Sequence, residues 1–561
     1  MLLPKARIPP PRPTLPSAGR GTPILFASRF MSSETTQNEE SAILEQRKRS
    51  PSAYWLTRFV LLRFLGVVYL TAFLVAANQA VPLIGHEGLL PADAFLDKVA
   101  LYFGSRDAGF RQIPSIFWWN VSDACLANTA WVGVALSAVV VCGYANSIIM
   151  LVLWALYMSF VHVGQLWYSY GWETQLLETG FIAVFLCPLL DPRPFPRMPP
   201  PLTTLWLYRW LIFRIMLGAG LIKIRGDECW RDFTALLYHY ETQPVPNPIS
   251  RFLHFAPAWF HRFGVMWNHF VELVVPWFAF GPKLARNAAG LLMAGFMGVL
   301  ILSGNLSFLN WLTIVPCLAC LDDSFWQRIL PSTLVRRAQN AQLTARHSRL
   351  PMFASGIFAL VVAWLSIKPV QNLISPKQAM NASFDMLHLV NTYGAFGSVG
   401  RERYEIVFEG TEDRVPSEAA VWREYEFKVK PGATGRRPSF ISPYHYRLDW
   451  QIWFAAIPGV HYDMRTMPTP QHYPWVVHFV WKLLHNHPST LSLLANNPFP
   501  DAPPRYVRAV LYRYQFAPIG DKDGAWWTRE QTGMWLQAVS LYTPEFRRFL
   551  ESTGMITKDA E

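Results

Sequence analysis

Between Phe59 and Val370 the chain carries one apolar run after another, each near bilayer length and separated from the next by a short connector. Few folds tolerate that pattern. About 20 mostly apolar residues cross a bilayer as a helix, because lipid offers no partner to a free backbone N–H or C=O. The runs fall near 59–77, 126–144, 147–163, 176–190, 206–223, 267–281, 287–304, 308–321 and 352–370. The fourth, sixth and eighth are short and contain or abut Pro188, Pro276 and Pro316. Broken or re-entrant segments are therefore allowed for, and the expected count is seven to nine. After Val370 the pattern turns to alternating strands, Pro-rich turns and mixed charge. The expected fold is a polytopic α-helical membrane domain over residues 52–370 followed by an α+β lumenal domain over 371–561.

Composition agrees with this reading. Hydrophobic residues make up 52% of the 561 positions and charged residues only 16%, too apolar for an ordinary soluble protein. The 24 Trp and 38 Phe suit aromatic belts at two membrane interfaces. The net charge of +12 is spread over connectors and tail. It forms no stripe of the kind that follows a nucleic-acid backbone, so the partner is the bilayer and not a nucleic acid. Six Cys are too few for a disulfide framework, and none follows Val370. Cys125 and Cys229 fall on the same side in this scheme and are the pair available for one disulfide.

Met1 to Ser33 carry Lys5, Arg7, Arg12, Arg20 and Arg29 and no acid, as transit peptides do. Seven prolines there oppose the amphipathic helix such a peptide needs. Residues 1–51 are therefore read as a disordered, basic, Pro-rich tail, or as an over-extended start with Met31 as the first residue. No apolar signal core precedes Phe59, which leaves targeting to the first span.

Basic residues set the orientation. Arg47, Lys48 and Arg49 precede the first span and place the N-terminus in the cytosol. With nine crossings, cytosolic connectors then hold Arg193 and Arg197, Lys283 and Arg286, and finally Arg328, Arg336, Arg337, Arg346 and Arg349. The C-terminal domain becomes lumenal. The Asn-X-Ser acceptors at Asn120, Asn305 and Asn381 all fall on that lumenal side. Asn305 sits in a tight connector, leaving Asn120 and Asn381 as the expected glycosylation sites.

Charges inside spans are costly, about 2.5–3.5 kcal/mol each at mid-bilayer, and so pair or line polar cavities. Glu173 and Glu178 open the fourth run, Arg214 and Lys223 lie in the fifth, and His269 and Glu272 stand three apart in the sixth, on one helical face. Pairs of the type Glu178–Arg214 and Glu272–Lys223 would fix helix register. The competing reading is a polar cavity open to the lumen, with Lys223 as a base or substrate contact. Cys317-Leu-Ala-Cys320 has redox spacing but lies in an apolar run, where burial opposes a thiolate. The tail histidines His445, His461, His472, His478, His485 and His487 match no zinc spacing.

In the tail, Arg403–Glu409, Arg423–Val429 and Arg505–Phe516 alternate as half-buried strands, and Trp475–His485 and Ser489–Asn496 read as helices. Thr543-Pro-Glu545 opens a last helix, with Thr543 as its cap. No phosphate loop, nucleophile elbow or triad is present, and no cofactor or metal is called for. An aromatic-rich domain without a catalytic constellation suits a binding platform.

Several ordered blocks are familiar. They include Ser52-Ala-Tyr-Trp-Leu-Thr-Arg58, Gly171-Trp-Glu-Thr-Gln-Leu-Leu-Glu178, Leu217-Gly-Ala-Gly-Leu-Ile-Lys-Ile-Arg-Gly226, Tyr240-Glu-Thr-Gln-Pro-Val-Pro-Asn247 and Asn268-His-Phe-Val-Glu272. Asn305-Leu-Ser-Phe-Leu-Asn310, Tyr444-His-Tyr-Arg-Leu-Asp-Trp450 and Asn497-Pro-Phe-Pro500 continue the match. On these the chain resembles the lipase maturation factor family from Ser52 to the C-terminal helix. The resemblance implies a non-enzymatic, multi-pass endoplasmic-reticulum protein that helps secreted homodimeric lipases reach their assembled state. A shorter likeness, Ala219-Gly-Leu-Ile-Lys223 with Trp230, is similar to the membrane domain of vitamin K-dependent carboxylases and implies the alternative, an intramembrane enzyme with Lys223 as base.

Overall fold

A helix longer than its apolar core can reach past the membrane and grip what lies beyond, and the first helix does so. In the computed structural model, which describes residues 53–346, 348–458 and 469–556, α1 spans Trp55–Ile84 and exceeds the expected 59–77 at both ends. The first N–H groups of a helix have no intrahelical acceptor. Here the Asp323 carboxylate supplies it, accepting from Trp55 N and Leu56 N at 2.9 Å and Thr57 N at 3.1 Å. At the other end Gln79 meets the C-terminal segment, donating to His445 O at 2.7 Å and accepting from Arg447 N at 2.9 Å.

The array continues with α2 (Asp123–Val141), α3 (Ser147–Val163), α4 (Gly171–Leu186) and α5 (Leu202–Gly226). Close approach of α1 and α2 depends on small residues: a Cβ on Gly133 would lie 2.2 Å from the Phe73 ring. Helix α6 (Ala258–His269) widens into a π turn over Phe270–Val274 and tightens into a 3₁₀ turn over Val275–Phe280. Pro276, which cannot donate to the ladder, sits at that change. Then follow α7 (Lys283–Ser303), α8 (Leu309–Cys317, with a 3₁₀ turn to Cys320) and α9 (Arg349–Ile374).

Five of these, α1, α2, α5, α7 and α9, are long and apolar enough to cross a membrane; α3 and α8 are apolar but shorter. Helix α4 starts at Gly171, five residues before the apolar run does, so both of its glutamates lie within the helix.

Connector contacts sort into two sets. On one side Ala145 N donates to Pro192 O, Arg346 N to Arg197 O, Arg58 to Met198 O, and Lys283 pairs with Asp322 at 3.0 Å. On the other, Gln165 reaches Leu90 O, Trp230 reaches Phe396 O, and Arg251 reaches Ala517 O. The C-terminal segment belongs wholly to this second set of contacts. From Tyr54 onward the described residues form one compact unit.

That segment builds a four-stranded antiparallel sheet in the order β2-β1-β3-β4: β1 Arg403–Thr411, β2 Arg423–Glu424, β3 Tyr506–Phe516 and β4 Trp527–Val539. The strand expected over 423–429 shrinks to two residues because the chain turns inward, burying Lys430 against Glu405 at 2.8 Å. Strand β4 escapes a period-two reading because it is an edge strand with register shifts against β3. Helix α10 (Arg447–Ala456) was not expected. Helix α11 (Pro474–Leu484) was, and it packs Phe479 on Phe408 of β1 with ring centroids 5.1 Å apart. The helix expected over 489–496 is a single turn, Pro488–Leu491. Thr543 precedes α12 (Pro544–Ser552), but its hydroxyl accepts from Ser540 N and leaves the helix uncapped by a side chain. His461 and the N-terminal tail lie outside the described residues.

Asp323→Ala leaves three backbone N–H donors at the start of α1 without their acceptor. We expect it to cost about 1–3 kcal/mol, read as a lowered unfolding midpoint of the detergent-solubilised protein.

Candidate functional site

Residues five apart on an α-helix point about 140° away from each other. Glu173 and Glu178 of α4 therefore face different neighbours, and each finds a partner in the C-terminal segment. The Glu173 carboxylate accepts from Arg447 Nη1 of α10 at 2.7 Å and from the Tyr157 hydroxyl of α3. Arg447 also donates to Trp167 O and lies over the Tyr168 ring, with Cζ 3.6 Å from its centroid. Gln451, one turn further along α10, donates to Leu166 O at 2.7 Å and the Tyr170 hydroxyl at 2.9 Å.

Glu178 pairs with Arg214 of α5, as the sequence suggested. It also accepts from Asn391 N at 3.0 Å and the Tyr393 hydroxyl at 2.7 Å. Arg214 completes the ring by donating to Asn391 O at 2.7 Å. All of these side chains are buried.

The third group stands apart. Lys223 Nζ, in the last turn of α5, lies 2.5 Å from Glu272 Oε1 and 3.3 Å from Asn268 Oδ1, while Asn268 Nδ2 donates to Glu272 Oε2 at 2.8 Å. Trp230 lies against the ammonium, 5.1 Å from Nζ to the ring centroid. His269 does not join this group. The residue one turn before Glu272 on the binding face is Asn268, and the His269 imidazole contacts Trp230 O instead, at 3.0 Å. The six candidates thus form three buried centres with His269 to one side, not one cavity.

A fourth buried cluster went unread in the sequence. Arg403 of β1 donates to Glu405 Oε1 at 2.5 Å and to the carbonyls of Glu241, Gln243 and Pro244, while Lys430 holds the other Glu405 oxygen. A signal existed: Arg447 and Arg403 are cations inside otherwise aromatic or strand-like runs.

Among the described residues no three His, Cys, Asp or Glu are placed to hold a metal ion. All six cysteines are free, so Cys125 and Cys229 form no disulfide. Cys317 donates to Thr313 O at 3.2 Å within its helix, and Cys320 packs under Gly290. Asn120 and Asn381 are exposed. Asn305 is buried, its amide donating to Ser439 O at 2.7 Å and its carbonyl accepting from Ile441 N at 3.0 Å.

A helical membrane array tied by buried charges to a small α+β region defines the class: a polytopic membrane protein with an integrated C-terminal domain. The transmembrane-domain model of the lipase maturation factors matches residues 56–328, and the model of their C-terminal domain matches 389–537. The chain is 49% identical over 511 residues to lipase maturation factor 1 of Bos taurus, covering 87% of this chain and 89% of that protein. To lipase maturation factor 1 of Homo sapiens it is 47% identical over 524 residues, with 89% and 90% covered. Identity to lipase maturation factor 2 of Xenopus tropicalis is 29% over 622 residues, with 90% and 85% covered. No solved structure matches. The chain belongs to the lipase maturation factor family.

Breaking one partner of a buried pair leaves an uncompensated charge, at about 3–5 kcal/mol. Arg447→Met is expected to show that loss in a thermal unfolding assay, and Glu173→Gln/Arg447→Met to recover part of it.

Acid should also loosen the C-terminal segment. Burial pushes His388 and His478 down to about 4, and His478 Nδ1 contacts Leu89 O across the junction at 3.0 Å. A base with a depressed folded pKa contributes fully above its unfolded value, near 6.5, and loses that contribution as pH falls toward 4. The unfolding midpoint is expected to drop between pH 6.5 and 5, and His388→Gln/His478→Gln to flatten the dependence.

Proposed function

We propose that this chain is an endoplasmic-reticulum membrane factor that assists folding, assembly and secretion of lipase clients through its C-terminal domain on the lumenal face. The observation that carries the reading is the locking of that domain onto one side of the helices through Glu173–Arg447 and Glu178–Asn391. A platform held this way stays close to the membrane, among secretory chains as they emerge. The relatives named lipase maturation factor supply the client class, and homodimeric lipases are the members of it we infer.

Nine crossings are part of the proposal. The two-sided sorting of connector contacts supports an odd number of passes, with α3, α4, α6 and α8 crossing as shorter segments supported by their neighbours. The basic connectors Arg193–Arg197, Lys283–Arg286 and Arg328–Arg349 then face the cytosol together. Exposed Asn120 and Asn381 carry glycans under this topology, and buried Asn305 does not.

A second reading is kept for Lys223, whose buried position beside Glu272 is what an intramembrane base would need to leave. In the preferred reading the pair is structural, its ammonium matched by Glu272 and Asn268.

In cells lacking the endogenous factor, deletion of the chain after Val370 is expected to stop secretion of active lipase. Lys223→Met/Glu272→Leu, which removes both charges, should retain secretion in proportion to folded protein. Loss of secretion at unchanged abundance would instead favour the enzyme. Endoglycosidase is expected to shift the full chain in two steps, one removed by Asn120→Gln and one by Asn381→Gln.

A further inference from the structure

Helix α9 is the least enclosed of the five long apolar helices, with 22% of its apolar window buried. Between it and α5 runs a cavity of about 630 Å³, from Thr203 in the first turn of α5 to Gln371 near the end of α9. Its walls are Trp206 and Trp210 of α5, Phe280, and Val362, Ala363 and Val370 of α9. Midway along it Trp210 Nε1 donates to Ser366 Oγ at 3.0 Å, and the other polar lining residues, Thr203 and Gln371, stand at its two ends. Between those ends the groove offers hydrocarbon contact.

Size restricts the occupant. The volume lies within the range of small-ligand pockets, about 300–1,000 Å³. A spanning helix about 10 Å wide and 30 Å long requires several times more. The space suits one acyl chain lying along it, whereas a partner helix would enter it with side chains only.

Charge restricts it further. Arg346 N donates to Arg197 O at 2.9 Å, joining the connector that leads into α5 to the one that leads into α9, at the Thr203 end of the groove. Arg197, Arg346 and Arg349 are exposed, and among the described residues none has an ion-pair partner. No Asp or Glu occurs from Ser324 to Phe384. Among the described residues the connector acids on this side are already engaged: Asp191 by Arg193, Asp322 by Lys283 and Arg286, and Asp323 by the start of α1. An anionic headgroup is the complement this surface lacks.

We propose that the α5–α9 groove binds one anionic phospholipid, with an acyl chain between Trp206 and Val370 and the headgroup at Arg197, Arg346 and Arg349. The site is independent of the client reading. It anchors the helix that leads into the C-terminal domain.

Native mass spectrometry of the full chain in mild detergent, supplied with dioleoyl phosphatidylinositol or dioleoyl phosphatidylcholine, tests it. A one-to-one adduct is expected, with phosphatidylinositol retained at least about fivefold over phosphatidylcholine. Arg346→Gln/Arg349→Gln should erase the preference and keep the adduct. Ala363→Trp, which fills the groove, should remove both lipids; Val370→Phe serves if that variant does not fold. Equal retention of the two lipids by the wild type, an adduct that survives filling of the groove, or a dimer mass in place of the adduct would overturn the proposal.

Discussion

Charges withdrawn from water must be matched, and in this molecule the match is made between parts of the chain far apart in sequence. Glu173 is a buried carboxylate near the start of helix α4, and its cation, Arg447, comes from the C-terminal domain. Desolvating the two costs several kcal/mol per ion, which only close contact and further hydrogen bonds offset. Tyr157, Trp167 O and the Tyr168 ring provide them. Glu178 repeats the logic with Arg214, Asn391 and Tyr393. The helices and the C-terminal domain are thereby parts of one electrostatic assembly.

The helices were legible because bilayer length and apolarity are local properties. So were Glu178–Arg214 and Lys223–Glu272, since an acid and a base buried in neighbouring helices have few other partners. Arg447 was not legible as the partner of Glu173. No helix was expected over its segment, Tyr444 to Trp450, and nothing local says that it inserts beside α3 and α4. His269 was misplaced for a related reason: a spacing of three places it near Glu272 in an ideal helix, but here Asn268 makes the contact beside a π turn. Strand β4 and the shortened β2 show the usual limit of period-two patterning at sheet edges, where both faces are partly wet.

The blocks that carry the family resemblance meet one another in space. Gly171–Glu178 meets Tyr444–Trp450 through Glu173 and Arg447, and Leu217–Gly226 meets Asn268–Glu272 through Lys223. Tyr240–Asn247 receives Arg403 on its carbonyls, and Asn305–Asn310 binds the backbone at Ser439–Ser442. These blocks are joints. They place an α+β domain against a membrane array.

Hydrogen–deuterium exchange on the full chain in detergent, comparing wild type with Arg447→Met, tests the joint most directly. The account predicts strong protection of Gln165–Glu178 and Leu389–Tyr393 in the wild type. In the variant, exchange should rise in both segments while α1 and α2 stay protected. Unprotected segments in the wild type, or protection unchanged by the substitution, would contradict it.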